Sequence, residues 1–427
     1  MYHKNTKNLA AKIRLERIQK RFTLRELAEM TSLSHGYINR IEQGLLTPSK
    51  ETLKTIQEAL GFNYNEASAD CIEFKTYYNL LYRSVIYADY GKAKEYLRIL
   101  IDKQDVYTNC ECFIDYYIIV FMAFQQLKIE RHRLEGLHEK IQILLPTMRK
   151  SQKEIALLQS AIYSYYQEKN ISLALEKLTL HQSLSENSNL LATSYFLNGF
   201  IYSQDYRKYK QSLQFYLKAK QLFQNQNNFN RVIFVRLFQQ ILYINMHRYQ
   251  EFLESNQQTT RFAEIKGLET VYKVSLSNLA RYHIARGDYD DALKVYNGIV
   301  DETSNEYYFL KAYTLYNLGY HVEALATLKA CRKKQRSDYR GLYLLGVQCL
   351  ETLIKNVSSK ENVRMLNQFF ELAFELKQYL FIRIAYKLIK VYIPVTRQYK
   401  EIYHYSVRVL EAIQHICGKE DVHEVIS

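Results

Sequence analysis

Four side-chain amides recur at nearly one place along a repeating helical unit. Gln159, Asn198 and Asn278 stand 15, 14 and 14 residues before a small residue, Ala174, Ser212 and Ala292 in turn. Gln239 precedes Tyr249 by ten residues, and Asn278 precedes Tyr289 by eleven. An amide offers a donor and an acceptor together, so a ladder of amides can hold the peptide groups of an extended chain whatever its side chains. Four residues beyond each amide, on the same helical face, come Tyr163, Tyr202, Tyr243 and Tyr282. Aromatic residues at such positions serve helix packing more often than ligands. Arg236 and Arg281 fall near that face and can pair with a carboxylate. The expected peptide-binding set is Gln159, Asn198, Tyr202, Arg236, Gln239, Asn278, Arg281 and Tyr282.

Other chemistries find little to work with. The sequence has no glycine-rich phosphate loop and no nucleophile elbow, and His283 and His321 stand alone, so neither a catalytic residue nor a cofactor is expected. Six cysteines are scattered along the chain, and none has the C-x-x-C spacing of a zinc knuckle; Cys110-Glu111-Cys112 is the tightest group. They read as reduced thiols with no metal site. The opening segment, MYHKNTKNLAAKIRLERIQKR, lacks the apolar stretch of a signal peptide. No run of about 18 uncharged apolar residues could span a bilayer. A cytoplasmic location is expected.

The elements that carry these residues are helices. Three prolines and 13 glycines in 427 residues leave few turns, and long segments are filled with helix formers. The net charge of +14 suits an anionic partner, but only +4 of it lies in residues 1–66, so charge does not locate the contact. Within that head, a helix is expected from Leu9 to Arg21. Thr23 and Glu26 form a capping box for a second helix. Leu33 plugs a turn, Ser34 caps a third helix running to about Gln43, and Gly44 stops it. A fourth helix is expected to begin with Pro48 at its first position and to end at Gly61. Beyond it, Ala93, Ala174, Ser212, Ala292 and Ala324 mark second helices of successive hairpins. The gaps of 81, 38, 80 and 32 place one degenerate unit inside each doubled interval. Eight or nine hairpins fit in residues 71–427. The fold class is all-α, with a small head followed by a stacked array, since a lone hairpin cannot bury its apolar face.

Thr23–Gly44, TLRELAEMTSLSHGYINRIEQG, resembles the helix-turn-helix of phage-repressor-type proteins. That resemblance implies that the third helix enters the DNA major groove and reads base edges with its first residues. The implied DNA-binding set is Thr23, Arg25, Ser34, His35, Gly36, Tyr37, Asn39 and Arg40, with Asn39 toward an adenine edge and Arg40 toward guanine or phosphate. Gly36 departs from the longer polar residue usual in the family, which passes a base contact to Tyr37. Leu24 stands where many relatives carry a phosphate-binding Gln, leaving that role to Thr23 or Arg25. Lys12, Arg14 and Arg17 are further phosphate candidates. Leu276–Val300, LSNLARYHIARGDYDDALKVYNGIV, resembles a tetratricopeptide repeat, which implies a right-handed superhelix with a groove lined by first helices. The two parts together resemble the peptide-pheromone receptors of Gram-positive bacteria, the Rap/Rgg/NprR/PlcR/PrgX group, and most closely the NprR type. The resemblance implies a homodimeric quorum-sensing regulator that holds double-stranded DNA by its head and is switched by a short signalling peptide. The Rap branch offers the alternative of a protein that sequesters a signalling protein through its array.

Overall fold

The computed structural model describes residues 2–64, 70–129, 131–299, 304–333, 341–355, 359–396 and 399–417. Among them the fold is all-helical, as the composition predicts. The head consists of α1 (Tyr2–Gln19), α2 (Leu24–Thr31), α3 (His35–Glu42) and α4 (Lys50–Leu60). The Thr23 hydroxyl accepts from the Glu26 N–H while the Glu26 carboxylate accepts from the Thr23 N–H, so the expected capping box forms. The Ser34 hydroxyl caps α3 by accepting from the Tyr37 N–H at 3.2 Å. The start of α4 differs from expectation. Ser49, not Thr47, is its cap, and its hydroxyl accepts from the Thr52 N–H at 3.1 Å. Pro48 therefore lies just outside the helix, because a serine hydroxyl two residues further on satisfies the free N–H groups better than proline's fixed φ alone. Leu9, Ile13, Leu27, Ile38, Ile41, Ile56 and Leu60 close the head's core.

Two compact units divide the chain. The first comprises 1–194 with 225–230, and the second 195–224 with 231 onward. In the first, the head is followed by α5 (Asp70–Ile86), α6 (Tyr90–Asp102), the short α7 (Gln104–Tyr107), α8 (Phe113–Gln126), α9 (Arg131–Leu144), α10 (Lys150–Tyr166) and α11 (Ile171–Leu184). The junction expected between 66 and 71 falls largely at 65–69, outside the described residues. Within this unit the head rests on the array. The Asn8 amide donates to the Glu111 carbonyl at 3.0 Å. Lys12 is only 2% exposed, its ammonium 5.7 Å from both the Phe62 and the Phe113 ring and 2.6 Å from the Glu16 carboxylate.

Next come α12 (Ser188–Tyr202), whose chain passes from the first unit to the second, and α13 (Tyr209–Asn225). The second unit continues through α14 (Phe229–Asn245), α15 (Tyr249–Lys266), α16 (Glu269–Arg286), α17 (Tyr289–Asn297), α18 (Asn305–Asn317) and α19 (His321–Lys333). It closes with α20 (Leu342–Lys355), α21 (Ser359–Glu375), α22 (Tyr379–Thr396) and α23 (Tyr399–Cys417). Setting α7 aside, α5 to α23 make nine hairpins among the described residues. The two units hidden in the doubled intervals are α8 with α9 and α14 with α15. All five marker residues are fully buried, because each lets its helix cross the preceding one closely. At Ser212 the crossing is tight enough for its hydroxyl to reach the Gly199 carbonyl at 2.6 Å. A Cβ on Gly199 would stand 2.6 Å from the Tyr216 ring, so only glycine fits there.

Candidate functional site

The head presents the residues that the resemblance assigned to DNA. Burying Ile38 and Ile41 turns the opposite side of α3 outward, so His35, Gly36 and Arg40 are exposed and Tyr37 and Asn39 half-exposed. Arg25 on α2 is exposed too. Arg25 and Arg40 pair with no carboxylate among the described residues, which leaves one free cation on α2 and another in the last turn of α3. Thr23 and Ser34 are exposed but already accept the capping bonds, so what they still offer an incoming phosphate is the hydroxyl proton. Asn39 holds its oxygen 3.3 Å from the Gln43 amide, leaving its own N–H groups outward.

The phosphate role expected of α1 does not fit its surroundings. Lys12 is buried as described. Arg17 donates to both Glu42 oxygens, at 2.6 and 2.8 Å, and to the Phe22 carbonyl at 2.7 Å. Its guanidinium locks α1 to the end of α3 and is not available to a ligand. Arg14 is half-buried.

The array residues fare differently. Gln159, Asn198, Gln239 and Asn278 are 2%, 5%, 1% and 4% exposed. In the first unit, the Gln125 amide on α8 donates to both the side-chain and the backbone oxygen of Gln159 on α10. In the second, Asn278 on α16 donates to the Leu237 carbonyl at 3.1 Å and to the Gln240 side chain at 2.9 Å, both on α14. Gln159 and Asn278 thus join neighbouring hairpins. Gln239 is the exception, for its Nε2 is buried without a hydrogen-bond partner. Tyr282 is a core residue, stacked on Phe252 at 4.8 Å and packed beside Ile244 and Ala285. Tyr202 lies half-exposed between Phe215 and Lys208. Arg281 forms an ion pair with Glu306.

Arg236 is half-buried, and no carboxylate among the described residues pairs with it. Burial disfavours its charged form. Lys220 on α13 is in the same condition: burial lowers its pKa, and the nearby Arg236 charge lowers it further. Lys220 lies on a second helix and at no recurring spacing, so nothing in the sequence pointed to it. Cys71, Cys110 and Cys112 also come together, all buried, their sulfurs within 4.8 Å of one another. A cleft of about 540 Å³ in the first unit is lined by Arg149, Lys150, Ser151, Glu154, Glu186 and Asn187, none of them in the expected set. Its two cations are already paired, Arg149 with Asp115 and Lys150 with Glu186.

The fold and the exposed head define an all-α protein that couples a helix-turn-helix to a helical-repeat array. Residues 13–66 match the helix-turn-helix family model. Over 83% of this chain and 99% of its own, a Rap protein complexed with Competence and Sporulation Factor shares the fold, with a TM-score of 0.64 and 13% identity. The apo form of the quorum sensor NprR from B. thuringiensis covers 80% of this chain and 99% of its own, at a TM-score of 0.59 and 14% identity. NprR in complex with its cognate peptide NprX covers 78% and 99%, at 0.56 and 15%. No curated protein sequence matches the chain. The architecture is thus that of the Rap and NprR regulators. No helix among the described residues is long and apolar enough to cross a membrane.

Proposed function

We propose that this protein is a cytoplasmic, homodimeric transcription regulator whose head binds operator DNA and whose array takes up a short signalling peptide that governs the head. For the DNA half, support comes from α3, which carries outward-facing His35, Tyr37, Asn39 and Arg40 with unpaired Arg25 beside it. An unpaired cation at the surface gains by replacing counterions at a phosphate, and an Asn or Arg in the first turns of such a helix reads a base edge.

The observation that carries the peptide half is the pair Arg236 and Lys220 with the unpartnered Nε2 of Gln239. Arg236 and Gln239 are three residues apart on α14 and share a face. Two half-buried cations and one fully buried amide donor without an acceptor are costly to hold, and a carboxylate offsets that cost directly. A peptide carries one at its C-terminus. The peptide-bound NprR and the Rap complex support this reading by their likeness in fold. The contact therefore centres on Arg236, Lys220 and Gln239. Gln159 and Asn278 join the hairpins of the array.

Two measurements test the proposal. Selection from random duplexes should yield one preferred sequence, and His35→Ala with Arg40→Ala should abolish the preference. In a short-peptide library, free C-termini should bind at least about tenfold better than amidated ones, and Arg236→Ala should erase the difference. Equal binding of amidated peptides defeats the carboxylate assignment. Capture of a signalling protein with no DNA preference would favour the sequestering alternative.

A further inference from the structure

The sequence separates Cys71 from Cys110 and Cys112, but the fold does not. Cys71 is the second residue of α5, and Cys112 stands at the N-cap position of α8 without a side-chain capping bond. Their sulfurs are 3.9 Å apart, and those of Cys110 and Cys112 are 2.9 Å apart. The three side chains are 4%, 1% and 5% exposed. Phe74, Tyr107 and Phe113 on the same stretches of chain are each 1% exposed or less, and the Tyr107 carbonyl accepts from the Cys110 and Cys112 thiols at 3.5 and 3.8 Å. Among the described residues no fourth His, Cys, Asp or Glu joins the group.

We propose that Cys71, Cys110 and Cys112 form a closed three-thiolate site for a single soft, low-coordinate metal ion, of which cuprous copper is the fitting kind. Metal–sulfur bonds of about 2.3 Å set sulfur–sulfur edges of roughly 3.8–4.0 Å. The Cys71–Cys112 edge already has that length. The Cys110–Cys112 edge must open by about 1 Å, which a small rotation of one side chain supplies. A closed zinc site takes four protein ligands, and among the described residues the triad offers three. Thiolates select cuprous copper, which is content with three. As the ion enters, each coordinating thiol releases its proton to solvent, so up to three protons leave; the copper arrives as Cu(I), and no electron moves. The Glu111 carbonyl that accepts from Asn8 lies between two of the ligands, so an ion here pins the turn on which α1 rests.

The test is an oxygen-free titration of the full, reduced chain with Cu(I) held by a colorimetric cuprous chelator. One ion per chain should transfer to the protein. Cys110→Ser with Cys112→Ser should lose that ion, and Cys349→Ser, which changes a buried thiol in the second unit, should keep it. Should the double variant misfold by circular dichroism, X-ray absorption of the loaded native protein decides. Three sulfurs at about 2.3 Å support the site, and fewer sulfurs or nitrogen and oxygen neighbours overturn it. Failure to take copper from the chelator, or retention of copper by a folded double variant, also overturns it. So does preferential binding of four-coordinate zinc, or a chain two hydrogens lighter with no bound metal, which would mark the cluster as a disulfide pair.

Discussion

The helix that faces DNA and the helices that carry the array amides use the same residue types for opposite ends. On α3, Asn39 and Arg40 point outward because one side of the helix is buried and the other is not. On α10, α14 and α16, Gln159, Gln239 and Asn278 sit at equally regular spacing yet are at most 4% exposed. A head helix has neighbours on one side. A first helix of the array is covered by other helices, so a polar residue there either bonds within the protein, as Gln159 and Asn278 do, or is left without a partner, as the Gln239 Nε2 is. Spacing tells which residues share a face; it does not tell whether the face is covered.

The sharpest way to break the comparison is to remove a polar group that is covered within the head itself. Glu42 is 6% exposed and holds the Arg17 guanidinium by two bonds. Glu42→Ala leaves that cation buried with the Phe22 carbonyl alone, and should destabilise the head by about 3–5 kcal/mol. Hydrogen exchange at the amides of α2 and α3 should then accelerate while α16 is unchanged. Arg40→Ala, on the open side, should change stability by no more than about 0.5 kcal/mol. If Glu42→Ala behaves like Arg40→Ala, the covered ion pair does not hold the head together.

A buried group with no bond at all gives the next largest effect. His181 is fully buried on α11, neither ring nitrogen has a partner, and burial pushes its pKa down to about 4. The folded state keeps it neutral, whereas the unfolded chain binds a proton below about pH 6.5. The stability it contributes is therefore complete above that pH and lost as pH falls from about 6.5 to about 4. The total is about 3 kcal/mol. Burial pushes His138 down to about 4 as well, so the two act together. Urea unfolding at pH 7 and pH 5 measures the loss, and His181→Leu should flatten part of it. An unfolding free energy that stays constant between those pH values would contradict the neutral burial of both rings.

The same contrast explains what was legible in the sequence. Caps and small residues speak locally: Thr23, Glu26, Ser34 and Gly44 placed α2 and α3, and the buried markers counted the hairpins correctly. Pro48 misled because proline at a first helical position competes with a nearby serine cap. The spacing puts the amides at one repeat position but does not reveal that Gln159 and Asn278 are bonded within the array, since their partners Gln125 and Gln240 follow no repeat of their own. Cys71 reaches Cys110 and Cys112 only through the packing of α5 on α8, which no spacing rule encodes. Lys12 looked like a surface cation and is covered because the head rests on Phe113.

The smallest effect asks the most of the open face. Gly36 is the second residue of α3, is exposed, and has open space where a Cβ would stand. Glycine inside a helix is less favourable than alanine by up to about 1 kcal/mol, and less than that in a first turn. Replacing it therefore does not threaten the fold. Gly36→Gln puts a long donor and acceptor beside Tyr37, toward whatever the first turn of α3 faces. If that is a base pair, the variant should change the preferred base at one position of the selected sequence, by about 1 kcal/mol or more of discrimination, and leave the others as they were. The measurement is a parallel selection from random duplexes with both proteins. Identical preferences would mean that this end of α3 faces backbone or solvent, and that the reading falls to Asn39 and Arg40 one turn further on.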